Sequence, residues 1–103
     1  MFTITGTVGA DGKYLVTGEA VDTTIHAVLK FAFENNTSGT SLSLCAGSET
    51  DFEAGNTAKL LSKSGGPGFK FLTITDTDAL AGKKIYVLRE AGSAASEFTL
   101  TVD

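Results

Sequence analysis

The C-terminal third of the chain sets the pattern of apolar and polar positions. Phe69-Lys70-Phe71-Leu72-Thr73-Ile74-Thr75, Ile85-Tyr86-Val87-Leu88 and Phe98-Thr99-Leu100-Thr101-Val102 are short runs rich in β-branched and aromatic residues, separated by Asp, Gly, Ala and Ser. Such runs predict strands, and these three are expected to lie in one sheet. Near the N-terminus, Phe2, Ile4 and Val8 alternate with Thr3, Thr5 and Thr7. That period of two predicts a strand with one buried face. Asp11-Gly12 separates it from Tyr14-Leu15-Val16-Thr17, and Asp-Gly between apolar runs signals a hairpin. The first two strands are therefore expected to pair, the second running on toward Val21.

Residues 25–34 fit two templates. As a strand, Ile25, Ala27, Leu29, Phe31 and Phe33 share a face; as a helix, Ile25, Val28, Leu29, Ala32 and Phe33 do. The helix leaves Phe31 outside its stripe and the neighbours are strands, so strand is preferred with helix kept open. Asn35 to Thr40 is a polar turn; Asn35 and Asn36 each begin a glycosylation sequon, read here as turn chemistry. Leu42, Leu44 and Ala46 alternate with Ser41, Ser43 and Cys45 and predict another strand. Gly47 to Gly68 is expected to be the longest irregular stretch, with a short strand at Ala58 to Ser62 and a hinge-like turn at Gly65-Gly66-Pro67-Gly68. Irregular stretches of that length in compact domains are usually functional or disordered. In the strand after it, Phe69 and Phe71 share one face while Leu72 and Ile74 share the other. That slip of parity is expected to mark a β-bulge or a strand that switches sheets. Ile85 to Leu88 is apolar on both faces and is expected to be central or at an interface.

Seven to eight strands with regularly spaced turns predict an all-β fold, a single sandwich of mostly antiparallel strands over 1–103. A chain of 103 residues buries enough surface for one core without staples. The segment Leu72-Thr73-Ile74, Asp78, Gly82, Tyr86 and Phe98-Thr99-Leu100-Thr101-Val102 resembles the closing strands of immunoglobulin-like domains. There an Asp and a Gly precede a corner tyrosine, whose hydroxyl ties back to the backbone. The resemblance implies an immunoglobulin-like β-sandwich of bacterial or viral type, with Tyr86 in that structural role. In style, the short Thr-, Gly- and Ala-rich β-domain also resembles the accessory (decoration) proteins of tailed-phage capsids.

Composition narrows the chemistry. Charged residues make up 19% of the chain, below the ~25% of typical soluble domains. Threonines stand between the apolar strand positions instead, and a threonine surface is easier to desolvate than one of lysines and glutamates. The net charge is −4, the lysines are scattered, and nucleic-acid binding is not expected. Cys45 is alone and is expected to be a buried, inert thiol. No cleaved signal peptide and no membrane span are expected. His26 is the one histidine; it has no partner at metal-ligand spacing, and no Gly-x-Ser-x-Gly elbow accompanies it.

Glu49, Asp51 and Glu53, with Asn56 nearby, and the pair Asp76 and Asp78 are candidate oxygen ligands for Ca²⁺, but none has the spacing of an EF-hand; they are read as solvated loop acids, and no metal or cofactor is expected. Gly65 to Lys70 precedes a strand rather than a helix and lacks the ending of a phosphate loop. The expected function is therefore non-enzymatic: a virion structural protein, made in a host cytoplasm, that binds a repeated lattice of major capsid or other virion protein, with an oligomer on the lattice as one form. Contacts are expected from Glu49, Asp51, Phe52, Glu53 and Asn56 and from the turn at Asn35 and Asn36. The second reading is a carbohydrate- or receptor-binding sandwich, for which Tyr14, Tyr86 and Phe52 are the aromatics at hand.

Overall fold

The computed structural model describes residues 2–16, 21, 27–55, 57–80 and 82–103, apart from the side chains of Phe52, Asp78 and Ala79. Its strands are β1 (Phe2–Val8), β2 (Lys13–Val16), β3 (Leu29–Asn35), β4 (Ser41–Gly47), β5 (Ala58–Ser64), β6 (Lys70–Ile74), β7 (Lys84–Ala91) and β8 (Ser96–Val102). A short helix, α1 (Glu49–Glu53), follows β4, and a 3-10 turn (Thr77–Leu80) follows β6. The alternation read from the sequence holds in β1, β3 and β8. Leu29, Phe31 and Phe33 are buried, so the strand template is the one that forms over Leu29–Asn35. Ile25 and His26 lie outside the described residues.

The strands form two four-stranded sheets, ordered β1-β8-β3-β6 and β2-β7-β4-β5, and every pair is antiparallel. The pairs β1·β8, β2·β7, β3·β6 and β4·β5 are those of one long hairpin whose tip lies between β4 and β5. The pairs β3·β8 and β4·β7 roll that hairpin into a sandwich. This is the eight-stranded jelly-roll arrangement. An all-β sandwich of antiparallel strands is thus what the sequence builds. Its order departs from the immunoglobulin arrangement, which keeps the first two strands in one sheet; here β1 and β2 lie in opposite sheets.

Three expectations about pairing are corrected. The Asp11-Gly12 turn forms, with Gly12 at φ 73° and its N–H donating to the Gly9 carbonyl at 3.0 Å. It carries the chain across to the other sheet instead of closing a hairpin, because β8 and β7 are the partners of β1 and β2. The last three strands do not share one sheet: β3 separates β6 from β8, and β7 is central in the other sheet. The parity slip at Phe69–Ile74 is not a bulge or a sheet switch. The register from Leu29↔Ile74 to Phe33↔Lys70 is unbroken, so Phe71 points away from the core.

The inner faces meet in one core. Phe31, Phe33, Phe98, Leu29 and Leu100 come from the first sheet, and Leu42, Leu44, Val16, Ile85 and Val87 from the second. Burial of each large side chain contributes about 1.5–3 kcal/mol. Tyr14 stands edge-on to Phe98, ring centres 5.0 Å apart. Gly6 makes room for it, since a Cβ there would fall 2.7 Å from the Tyr14 ring.

The stretch from Gly47 to Gly68 is more regular than expected. Ser48 and Asp51 cap α1 reciprocally: the Asp51 N–H donates to Ser48 Oγ at 3.1 Å, and the Ser48 N–H to Asp51 Oδ2 at 3.2 Å. This is the Ser-x-x-acid form of a capping box. β5 is a full edge strand whose register shifts opposite Leu44/Cys45. Nor is Gly65–Gly68 a hinge. The N–H of Gly65 donates to the Thr40 carbonyl at 2.8 Å and that of Gly66 to the Asn35 carbonyl at 3.1 Å. The N–H of Gly68 donates to Glu34 Oε2 at 3.0 Å.

Candidate functional site

The outer face of the first sheet carries the least expected side chains. Cross-strand partners share a face, and one row runs Thr3↔Thr101↔Ala32↔Phe71 across all four strands. A second row runs Thr5↔Thr99↔Glu34. The face is mainly threonine, with Ala32 at its middle, Lys30 and Glu34 flanking it, and Phe71 at the β6 side. Phe71 is 76% exposed and Phe69, two residues before it, is 43% exposed.

The chain holds this aromatic pair in place from both sides. Behind β6, Leu72 and Ile74 pack on the core, which fixes the strand and turns the odd positions outward. Just before Phe69, the Glu34 carboxylate accepts the Gly68 N–H. The result is an apolar ring on the outer face of the sheet, beside Ala32 and with Lys30 and Glu34 at the diagonal positions. A single exposed apolar residue is ordinary on a protein surface; Phe71 on the outer face of β6, with exposed Phe69 just before the strand, forms a local apolar platform.

The residues singled out from the sequence are spread over other places. Asn35 is fully buried. Its Nδ2 donates to the Thr40 carbonyl and hydroxyl, both at 3.1 Å, and toward the Lys63 carbonyl at 3.4 Å. Its Oδ1 accepts the Thr37 N–H at 3.1 Å. Asn35 therefore holds the β3–β4 turn against β5 and has no surface to offer a partner. Asn36 is exposed and donates to Thr99 Oγ1 at 3.0 Å. With Thr5, Thr7 and Glu97 it borders a shallow depression of about 400 Å³ on the threonine side of the sheet.

Glu49 and Glu53 are exposed on α1 and line a second depression of about 280 Å³ with Asp11, Lys13, Leu15 and Tyr86. Glu49 lies 3.7 Å from Lys84 Nζ. Asp51 is engaged in capping its own helix. The Phe52 side chain and Asn56 lie outside the described residues. Tyr86 is buried in the centre of β7, between Leu15 and Cys45 in register. The expected contact residues thus belong to three separate regions, and Phe69 and Phe71 were missed. The signal for them was the parity slip itself.

Electrostatics add one exposed pair, Lys59 and Glu90, joined across the second sheet. The hydrogen bond from Lys59 holds the Glu90 carboxyl below its ordinary range, with help from Ser62. The same bond raises Lys59. Cys45 is buried, its Sγ 3.3 Å from Ser43 Oγ. Among the described residues no three His, Cys, Asp or Glu side chains gather in a way that would hold a metal ion, and no helix is long and apolar enough to cross a membrane. Compared with protein-family models, curated proteins and solved structures, the chain matches none.

Proposed function

We propose that this chain is a non-enzymatic structural module that docks on a repeated protein lattice, in the manner of a capsid accessory protein. The observation that carries the reading is Phe71, three-quarters exposed on the threonine-rich outer face of the first sheet. Covering one phenylalanine ring contributes about 1.5–3 kcal/mol, and aromatic anchors at the centre of desolvated patches dominate protein interfaces. Ala32 beside it, Thr73 on the same strand face and the threonines of β8 and β1 beyond β3 supply contact area, with Lys30 and Glu34 as the nearby charges. The virion setting is supported by the likeness in style to phage decoration proteins and by the jelly-roll order, which capsid and lectin domains share; both are analogies of form.

A test within reach is reconstitution. Particles stripped of this chain are mixed with wild-type protein or with Phe71→Ser, and the bound fraction is read after sedimentation. The reading predicts saturable binding of the wild type and loss of roughly tenfold or more in affinity for the variant, the share expected of a central aromatic anchor. Equal binding of both proteins removes Phe71 from the interface.

The second reading, a carbohydrate-binding module, is favoured by the same ring, since an exposed aromatic beside hydroxyl groups also suits stacking on a sugar face. Titration with a glycan panel separates the two. Binding that is lost in Phe71→Ser supports the sugar reading, and absence of binding across the panel leaves the protein surface as the partner.

A further inference from the structure

The two sheets have four edge strands, β1, β6, β2 and β5, and three of them are protected against adding another strand. β6 has Lys70 in register with buried Phe33, so a charge points inward at the rim. β5 has Lys63 in the same relation to buried Leu42, and its ladder is broken by the register shift. Among the described residues β2 is four residues long, and it begins at Lys13. Inward lysines, bulges and short length are the usual devices that stop edges from pairing.

Among the described residues, β1 has none of them. It is seven residues long, Phe-Thr-Ile-Thr-Gly-Thr-Val, without a charge or a proline. Its register with β8 is continuous from Phe2↔Val102 to Val8↔Ser96. The Val8 carbonyl accepts Arg89 Nη1 at 3.1 Å. Across Thr3 to Thr7, β8 is the one strand partner among the described residues.

We infer that β1 pairs antiparallel with β1 of a second copy of this chain, joining the two first sheets into one continuous sheet about a twofold axis near Thr5. An identical strand suits this edge better than a charged one. A charged strand would find no counter-charge on β1, whereas a copy brings no like charge against it. With the axis at Thr5 the residues from Thr3 to Thr7 overlap. Thr5 then faces Thr5 of the second copy, and Thr3 faces its Thr7. Such threonine pairs are favourable across strands, and a self-complementary patch is what a twofold interface requires.

A twofold axis perpendicular to the sheet keeps both outer faces on one side. The pair would then present two Phe71 platforms in the same direction, which raises the effective concentration for any repeated partner. The pairing itself does not depend on what Phe71 meets.

Sedimentation velocity of the full chain over a wide concentration range tests the inference. A species of about twice the 10.6 kDa chain mass, dissociating on dilution, is expected. Thr5 is exposed, so Thr5→Lys and Thr5→Glu should each keep the wild-type melting temperature. Each should weaken the dimer by roughly a hundredfold, because like charges then face each other. Mixing the two variants should restore a dimer. Thr73→Lys, on the opposite edge strand, should leave the dimer intact.

A wild-type monomer at all concentrations overturns the pairing, and so does a dimer that survives Thr5→Lys or a mixture that stays monomeric. Hydrogen exchange on the wild type gives a readout that needs no variant. The edge-facing amides of residues 3–7 should be protected at high concentration and exposed on dilution; rates independent of concentration overturn the pairing.

Discussion

At the scale of single residues, Asn35 and Phe71 show how position decides role. Asn35 sits in a polar stretch, Asn35 to Thr40, that reads as an exposed turn. The structure turns its side chain inward, because it continues the buried phase of Leu29, Phe31 and Phe33. Its amide then satisfies the carbonyls that the β3–β4 turn and β5 bring together. Asn35→Ala leaves those groups buried without a partner and should destabilise the fold by about 1–3 kcal/mol, read as a lower midpoint in urea. Phe71→Ser should behave oppositely. The ring makes little contact with the core, so thermal stability should stay within about 0.5 kcal/mol of wild type. A large loss of stability in that variant would show that the ring is structural. Phe71 was legible in the sequence as a break in alternation, but parity alone does not say whether the chain bends or the ring faces water.

At the scale of elements, the strands were legible wherever one face is buried, since period-two alternation records that burial directly. β5 was only partly legible. Its register shift puts Leu60 and Leu61 next to each other against the core, which erases the alternation. α1 was not legible, because five residues are too few to show a helical period; its one signal was the Ser48/Asp51 spacing. In the turn between β5 and β6, glycine reads as freedom in the sequence. At Gly65 it is a close approach: a Cβ would fall 1.9 Å from the Thr37 carbonyl oxygen. Gly65→Ala should therefore lower stability by about 1–3 kcal/mol, the usual range for overpacking, and shift the melting temperature by roughly 4–8 °C per kcal/mol.

The Lys59–Glu90 pair belongs to this scale as well, since it ties β5 to β7 across β4. Glu90 is depressed in the folded state, so its contribution is present above the ordinary carboxylate value and is lost as pH falls through the lower folded one. Lys59 is raised, so its contribution is present below the ordinary ammonium value and is lost as pH rises through the higher folded one. The pair therefore supports the fold between about pH 4.3 and 10.4, the unfolded values of the two groups. Glu90→Gln should flatten the difference at both limits while changing little else. Urea titrations of both proteins across pH give the comparison, and identical pH profiles would remove the pair from the stability of the sheet.

At the scale of the whole molecule, sandwich architecture follows from the count and spacing of the strands, but the rolled order does not. β1 pairs with the far end of the chain, and no local pattern specifies that. The order matters for function because it places β6, with outward Phe71, and β1, with its uncharged rim, at opposite edges of one sheet. The face between them is rich in threonine, with Lys30, Glu34 and Glu97 as its charges, and it is the face proposed to meet protein. The most direct measurement follows the native chain. Particles from the source are separated on a density gradient, and the chain is quantified against the coat protein by mass spectrometry. The account predicts a fixed ratio of this chain to a coat protein through the particle peak. If the chain instead remains at the top of the gradient as a free 10.6 kDa species, docking on a lattice is contradicted.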